Sequence, residues 1–410
     1  MSEVRGTLGP PVAAPIPVLE LPAALAHALG RGHPWVYKDH VPRGFEAPKG
    51  AFVRVRAGSF SAVALWDPGS QLALRVFSAG AVPDAGWVEA RVRAALALRE
   101  DTSVTRVASA YRWIAGEGDG LPGVTVDRYG AFAVVSLDSD ALDGVLPWVV
   151  AGLERAARLQ GIVRKKRAGR GPSPGPLPVG SLEVLAGRLP PRDLVVEEHG
   201  LRFRANLFVG QKTGLFLDQR ENRRFVEGLS SGRRVVNLFG YTGGFSLYAV
   251  RGGATHVTTV DIAEAAMEDA RENFRLNGFD AEAHDFVAAD VFDWLASAAE
   301  RGEAYDLVVC DPPSFARSRA HRDKAIQAYA RLHAAGLAVT APNGFYAASS
   351  CTTQVGPDAF REALALAAQR ARVRFQVVHD AAHAPDHPIL AGHPEGRYLK
   401  FVVGRVTKEA

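Results

Sequence analysis

Val235-Val236-Asn237-Leu238-Phe239-Gly240-Tyr241-Thr242-Gly243-Gly244-Phe245 reads as an apolar strand, Val235 to Phe239, that breaks into a glycine-rich turn. Order then resumes as a helix from Gly243 to Arg251. Glycines at such a turn let the backbone approach a ligand closely and aim a helix N-terminus at it. Alone the turn says little, because glycine-rich turns that open helices are common packing devices. The residues that follow give it weight. A second strand, Val257 to Val260, ends in Asp261, about twenty residues on, where a carboxylate suits a ribose diol. A third, Phe286 to Ala289, ends at Asp290, and a fourth, Leu307 to Cys310, runs into Asp311-Pro312-Pro313-Ser314-Phe315. Gly344 to Ser349 and Tyr398 to Val403 are further strands; helices Ala263 to Asn277, Lys324 to Val339 and Pro357 to Arg370 fall between. Strands alternating with helices imply a parallel sheet covered on both faces, whose ligands sit beyond the carboxyl ends of the strands.

The chain around that sheet is long enough for more. At 410 residues, 47% hydrophobic and 22% charged, it can bury two or three cores and is not a disordered protein. The best apolar stretch, Val145 to Leu153, contains Pro147 and Gly152, so no membrane span is expected. Met1-Ser2-Glu3-Val4-Arg5 lacks the start of a signal peptide, and two cysteines suit a reducing compartment. A cytoplasmic protein is expected. The two cysteines and scattered histidines show no ligand spacing, so no metal is expected either.

Residues 1–15 read as a flexible leader and 16–83 as a small β-rich domain, with runs Phe52 to Val55, Ala62 to Leu65 and Leu72 to Val76 between Gly and Pro turns. Residues 84–195 read as a central α+β domain. It has helices Trp87 to Arg99 and Leu142 to Leu159, a hairpin from Tyr111 to Tyr129, a strand Val134 to Leu137 and a Pro/Gly-rich loop over 168–181. Residues 196–410 carry the alternating domain. The formal net charge is only +4, but seven basic residues fall between Glu154 and Arg170, and a second basic stretch runs from Arg202 to Arg234. Each cluster is either solvated surface or a phosphate-contacting patch.

Asp311-Pro312-Pro313 is the most telling turn. Its two prolines each fix φ near about −65°, so one carboxylate and two carbonyls are held where a planar base can be gripped. The whole series resembles the class I S-adenosylmethionine-dependent methyltransferases. More narrowly, it resembles the bacterial large-subunit ribosomal RNA cytosine-C5 methyltransferases. The matching blocks are His33-Pro34-Trp35-Val36-Tyr37, Gly118-Asp119-Gly120-Leu121-Pro122-Gly123 through Asp127-Arg128-Tyr129, and Gly210-Gln211-Lys212-Thr213-Gly214-Leu215-Phe216-Leu217-Asp218-Gln219-Arg220. The glycine turn, Asp311 to Phe315 and Ser349-Ser350-Cys351-Thr352 complete them. The resemblance implies a Rossmann-like methyltransferase domain preceded by a PUA-like RNA-binding domain and a small α+β linking domain. It implies S-adenosylmethionine as cofactor and large-subunit ribosomal RNA as partner. Cofactor residues would be Asn237, Phe239, Gly240, Tyr241, Thr242, Gly243, Gly244, Asp261, Asp290, Asp311 and Pro312. RNA would meet Pro313, Phe315, Lys212, Arg220 and the run Arg164-Lys165-Lys166-Arg167. The oligomeric state is left open, a homodimer included.

Cys351 decides the reaction. It follows the apolar strand Phe345 to Ala348 but sits among Ser349, Ser350, Thr352 and Thr353, whereas Cys310 lies within its strand and reads as a core residue. Carbon-5 of cytosine needs help to take a methyl group: a thiolate adding to carbon-6 turns the ring into an enamine. Asp311 is placed to stabilise charge developing near N3 or N4. An ordinary thiol, pKa about 8.5, is a few per cent ionised at neutral pH, so the site is expected to lower that value. The acceptor of the C5 proton is not identified; where other RNA cytosine-C5 enzymes have a second cysteine, this chain has Ser314. The expected reaction is therefore 5-methylcytosine formation in 23S rRNA through a covalent cysteine intermediate. Two alternatives stand beside it. One is methylation of another RNA base or a small molecule with the same cofactor; the other is an RNA-binding ribosome-assembly factor with a vestigial cofactor site.

Overall fold

Short β-branched runs between Gly and Pro turns pair into sheets early in the chain. The computed structural model describes residues 16–165, 182–208, 210, 212–315 and 322–408. The first five strands are β1 (Val18–Glu20), β2 (Trp35–Tyr37), β3 (Phe52–Ala57), β4 (Phe60–Trp66) and β5 (Leu72–Ser78), with α1 (Ala26–Gly30) between the first two. They form one sheet in the order β1-β3-β4-β5-β2. Val53, Val55, Ala62, Ala64 and Leu74 close its core against Leu29.

The next unit has α2 (Ala85–Asp101), α3 (Val104–Val107), β6 (Ala110–Ala115), β7 (Val124–Tyr129), β8 (Phe132–Leu137), α4 (Leu146–Ala156), β9 (Gly161–Lys165) and β10 (Leu182–Gly187). Its sheet runs β10-β9-β8-β7-β6. Asp84 caps α2 by accepting from the Trp87 amide at 2.7 Å. Helix α2 buries Val88, Val92 and Ala95 against Val149 and Leu153 of α4. Two details depart from the sequence reading. Helix α4 starts at Leu146 rather than Leu142, because Pro147 is best housed in a first turn, where its missing N–H is not needed. Arg164 and Lys165 of the basic run end β9, an inner strand paired on both sides, because Ile162 and Val163 drive it into the core. The loop expected over 168–181 lies outside the described residues.

A hairpin, β11 (Val195–Glu198) with β12 (Leu201–Arg204), leads into α5 (Arg220–Gly228) and the large sheet. Strands and helices then alternate: β13 (Arg234–Leu238), α6 (Gly244–Arg251), β14 (His256–Asp261), α7 (Glu264–Leu276), β15 (Asp285–Ala288), α8 (Val291–Glu300) and β16 (Tyr305–Cys310). After them come α9 (Arg322–Ala338), β17 (Thr340–Ser350), α10 (Pro357–Ala371), β18 (Val373–Ala381) and β19 (Lys400–Lys408). The order is β15-β14-β13-β16-β17-β19-β18, with β19 antiparallel to both neighbours and β13 to β17 parallel. Side chains alternate across the sheet. Val236, Leu238, Val308 and Cys310 face α8, α9 and α10; Val235, Leu307, Val309 and Phe401 face α5 and α6. The strand order reverses beside β13, which puts a crevice at the carboxyl ends of β13, β14 and β16. Strand β18 is absent from the sequence reading. It is an edge strand with Val377 and Val378 exposed, so its pattern lacks a clean alternation.

The units share contacts. One core joins Tyr129 and Val163 of the second sheet, Val196 and Phe203 of the hairpin, and Leu247, Tyr248 and Phe274 of the last domain. The segment between β18 and β19 reaches across all three. His393 packs edge-on against Trp35 at 4.2 Å, and Trp35 Nε1 donates to Glu117 at 2.8 Å. Asp386 accepts two hydrogen bonds from Arg220, at 2.8 and 3.1 Å, and its carbonyl accepts one from Arg99 at 2.7 Å. No helix among the described residues is long and apolar enough to cross a membrane.

Candidate active site

The glycine turn is held in a demanding shape. Phe239 and Tyr241 both take left-handed backbone angles, φ 58° and 46°, each at a cost of about 1–3 kcal/mol. The restraint is local: Asp261 accepts from the Tyr241 amide at 3.0 Å, and the Gly240 amide donates to Val260 at 2.9 Å. A Cβ on Gly240 would stand 2.5 Å from Thr259 Cγ2, so only glycine fits between the turn and β14. The second oxygen of Asp261 accepts from the Ala263 amide at 3.0 Å. Asp290 caps α8 through the Phe292 amide at 2.8 Å. These groups border one cavity of about 570 Å³. At its rim Ile262 is 73% exposed and Phe292 43%, two large apolar faces beside two carboxylates. A flat base with a ribose diol fits that combination.

The far end of the same cavity holds Asp311, Cys351, Lys212 and Asp218. Gln219 Nε2 donates to Asp311 Oδ2 at 3.0 Å and to Ser349 Oγ at 2.9 Å. Asn222 donates to Gln219 Oε1 at 2.6 Å, which turns the amide so that its NH2 faces Asp311. Burial raises the Asp311 pKa, opposed by the Ser349 hydroxyl and helped by the charge of Asp218. Lys212 pairs with Asp218 at 2.6 Å, and Tyr398 donates to the same oxygen at 2.7 Å. That holds the Asp218 carboxyl well below the usual range despite its burial. Behind Cys351 lies a hydroxyl chain: Tyr329 meets Thr352 at 2.6 Å and Ser350 at 3.0 Å, and Thr352 meets Ser314 at 3.0 Å. The thiol corrects one expectation. Burial first, then the charges of Asp311 and Asp218, push the Cys351 pKa up, against the pull of Lys212 and Lys400. Cys310 is fully buried and pushed up to about 12, in keeping with a core role.

The S-adenosylmethionine-dependent methyltransferase family profile matches residues 178–393, and a PUA-like domain profile matches residues 19–79. The "Ribosomal RNA large subunit methyltransferase" of Deinococcus radiodurans is 42% identical over 387 residues, 90% of this chain and 93% of the relative. The chain belongs to the S-adenosylmethionine-dependent methyltransferase family. A second relative, "Ribosomal RNA large subunit methyltransferase I" of Photobacterium profundum, is 36% identical over 386 residues, 91% and 95% of the two chains. A solved structure described as "a putative methyltransferase complexed with SAH" shares the fold of this methyltransferase, with a TM-score of 0.84 at 23% identity over 95% of this chain and 100% of the other. Methyltransferases of the family use S-adenosylmethionine, and the cavity has the faces and polar groups to hold it.

Of the cofactor residues expected from sequence, Phe239, Gly240, Tyr241, Thr242, Gly244, Asp261, Asp290, Asp311 and Pro312 border the methyltransferase's cavity, as do Pro313, Phe315, Lys212 and Cys351. Others lie off it. Asn237 is buried beneath the turn, donating to Ser246 at 2.9 Å and so tying β13 to α6. Gly243, φ 78°, backs onto Ala270 and opens α6. Two RNA expectations, Arg220 and Lys165, are corrected by burial and pairing. Arg220 is fully buried and forked onto Asp386. Lys165 is buried, donates to the Gly210 carbonyl at 2.8 Å and has its pKa pulled down to about 8 by burial. Arg164 pairs with Asp143 at 2.7 Å. Lys166 and Arg167 lie outside the described residues. Instead, this region braces the site. Lys165 on Gly210 is joined by Thr213, which donates to Asp127 at 2.6 Å, and by the Leu215 amide, which donates to Tyr129 at 3.1 Å. The blocks Asp127-Arg128-Tyr129 and Gly210 to Arg220 are thus one unit. The sequence reading missed Gln219, Asp218 and Lys400. The first two stand inside the block Gly210 to Arg220, where charge singles out only Lys212 and Arg220 as RNA contacts.

Proposed function

We propose that this methyltransferase transfers a methyl group to carbon-5 of a cytosine in large-subunit ribosomal RNA through a covalent bond to Cys351. One observation carries the reading: Cys351 and Asp311 line the same cavity as the glycine turn. S-adenosylmethionine, when bound, supplies a methyl group on a positively charged sulfur. Phe239, Gly240, Tyr241, Thr242 and Gly244 would line its seat with Asp261, Asp290 and Pro312, the ribose falling to Asp261. The cytosine ring would enter past Pro313 and Phe315. The Cys351 thiolate adds to carbon-6 and the ring's electrons move to carbon-5, which becomes the nucleophile. Gln219 keeps Asp311 Oδ2 as an acceptor, so any acidic proton of Asp311 sits on Oδ1. Burial raises its pKa, so Asp311 can share a proton with the ring through Oδ1 as charge develops there. Once carbon-5 has taken the methyl group, with the sulfur–methyl bond broken and the neutral thioether left behind, loss of the C5 proton to water restores the double bond and expels the thiolate. Residues 16–83 would bind RNA and residues 84–195 would brace the catalytic part, 196–410. The protein would work in the cytoplasm.

The test is nucleoside mass spectrometry of large-subunit ribosomal RNA from a deletion strain and after treatment with the purified enzyme. A 5-methylcytidine lost in the strain and restored by the enzyme supports the reading. Another methylated base overturns it.

A further inference from the structure

Cys351 is flanked by two hydroxyl residues, and one phenol holds both. Ser350 Oγ, before the cysteine, donates to the Tyr329 hydroxyl at 3.0 Å; Thr352 Oγ1, after it, meets the same hydroxyl at 2.6 Å. The Thr352 amide donates to Ser350 Oγ at 3.3 Å and closes a ring of contacts around the cysteine turn. Tyr329, Ser350 and Thr352 are fully buried. Tyr329 belongs to α9, and other rings fix its own: Phe315 at 4.8 Å, His333 stacked at 5.8 Å and Phe360 edge-on at 5.6 Å. Burial pushes its pKa up to about 12, so the phenol keeps its proton. Having accepted from Ser350, it donates to Thr352, whose own hydroxyl is left to donate to Ser314 Oγ at 3.0 Å. The string thus passes from the cysteine turn to the far end of Asp311-Pro312-Pro313-Ser314, where Ser314 lines the cavity. A second tie joins the same two segments at their other end, since Gln219 bridges Asp311 and Ser349 at 3.0 and 2.9 Å.

We propose that Tyr329 is a positioning residue: by clamping Ser350 and Thr352, and Ser314 through Thr352, it holds the Cys351 turn in register with the Asp311 loop. This rests on Cys351 being the nucleophile. The two segments, 311–314 and 349–352, carry the groups that act on the base, and each needs a stiff mounting. On one side two prolines restrict the backbone between Asp311 and Ser314. On the other, β17 is paired through Ser350 and the ladder stops there, so Cys351 itself stands past the last paired residue. The clamp supplies what the ladder no longer does. A thiolate must come within about 3–3.5 Å of carbon-6 while Asp311 meets the same ring, and a slip of about 1 Å can cost on the order of a hundredfold in rate. Tyr329 is buried, so its effect reaches the base only through the residues it holds.

Three variants of the full chain test this. Tyr329→Phe keeps the ring and removes its hydroxyl; Thr352→Val keeps the shape of threonine without its hydroxyl; Thr352→Ser keeps the hydroxyl. The readouts are steady-state methylation of large-subunit ribosomal RNA and the rate of cross-linking to RNA carrying 5-fluorocytidine, whose C5 fluorine cannot leave and so keeps the protein attached. Tyr329→Phe and Thr352→Val should each lower kcat and the cross-linking rate roughly ten- to a hundredfold, while KM and S-adenosylmethionine affinity stay within about twofold. The double variant should be little worse than either single one, because the hydroxyls act as a unit. Thr352→Ser should recover most of the rate. Melting temperature shows that each variant is folded. A folded Tyr329→Phe protein that cross-links as fast as the unmodified one overturns the proposal. So does a loss of cofactor affinity in step with kcat, which marks a domain loosened as a whole. If Tyr329→Phe does not fold, Thr352→Val set against Thr352→Ser decides, and equal rates overturn the proposal. Failure of the nucleophile reading looks different: the unmodified protein itself would form no cross-link.

Discussion

Cys351 stands at the end of β17 between two carboxylates, Asp311 and Asp218, and two ammonium groups, Lys212 and Lys400. The carboxylates and burial prevail, so the thiol is more reluctant to ionise than a free one. The pH dependence follows by sign. If the thiolate is the working form, kcat/KM measured at saturating cofactor should rise with pH through neutrality and keep rising to about pH 8.5 or beyond, where an ordinary thiol is half ionised. Initial rates across that range check this; a rate that falls from neutrality upward contradicts it. Replacing Cys351 with Ala should abolish both 5-methylcytidine and the cross-link to 5-fluorocytidine RNA, read by nucleoside analysis and gel shift. Cys310→Ala should retain both while losing on the order of 1 kcal/mol in a urea titration, because it removes a buried sulfur from a packed core. For Cys351 the sequence supplied the position, a polar strand end. It did not supply the ionisation, because Asp218 and Lys400 lie far from Cys351 in the chain and meet it only in the folded sheet.

At the scale of elements, the β13 turn depends on the end of β14. Asp261 ties the Tyr241 amide and the Ala263 amide together, so it shapes the turn whatever else it binds. Asp261→Ala should weaken S-adenosylmethionine binding by about 1–3 kcal/mol in calorimetry, from the lost charge-assisted bonds and the relaxed turn. Unchanged affinity would remove Asp261 from the site. The strand–helix alternation after Leu201 was legible because buried parallel strands are continuous apolar runs, as in Leu307 to Cys310. Strand β18 was not, since an edge strand with one solvated face mixes exposed valines with charges. Strand β9 was misread for the opposite reason. Its Arg164 and Lys165 look like surface, yet Ile162 and Val163 bury the strand and the lysine finds a carbonyl inside. Charge in a sequence shows what must be paired, not where.

Across the whole molecule the most exacting joint is Asp386. Its carboxylate takes two bonds from Arg220 and one from the Arg112 amide, so it fastens the segment before β19 to both α5 and β6. Asp386→Ala should cost about 3–5 kcal/mol, since it leaves the buried Arg220 guanidinium with only its Glu221 pair; urea unfolding measures it. Both Asp386 and Asp218 have folded pKa values held far below the unfolded carboxylate. The stability they contribute is therefore complete above about pH 4 and drains away as pH falls further. Asp386→Asn should flatten that acid-side loss relative to the unmodified protein in the same titrations. Strand β19 adds a constraint of timing. It lies between β17 and β18 although it is synthesised after both. Until the ribosome has made β19, β17 and β18 lack the strand that joins them, and the pocket lacks Leu399. A copy cut short before β19 thus has an unfinished pocket, and the catalyst is complete only when the last strand is in place.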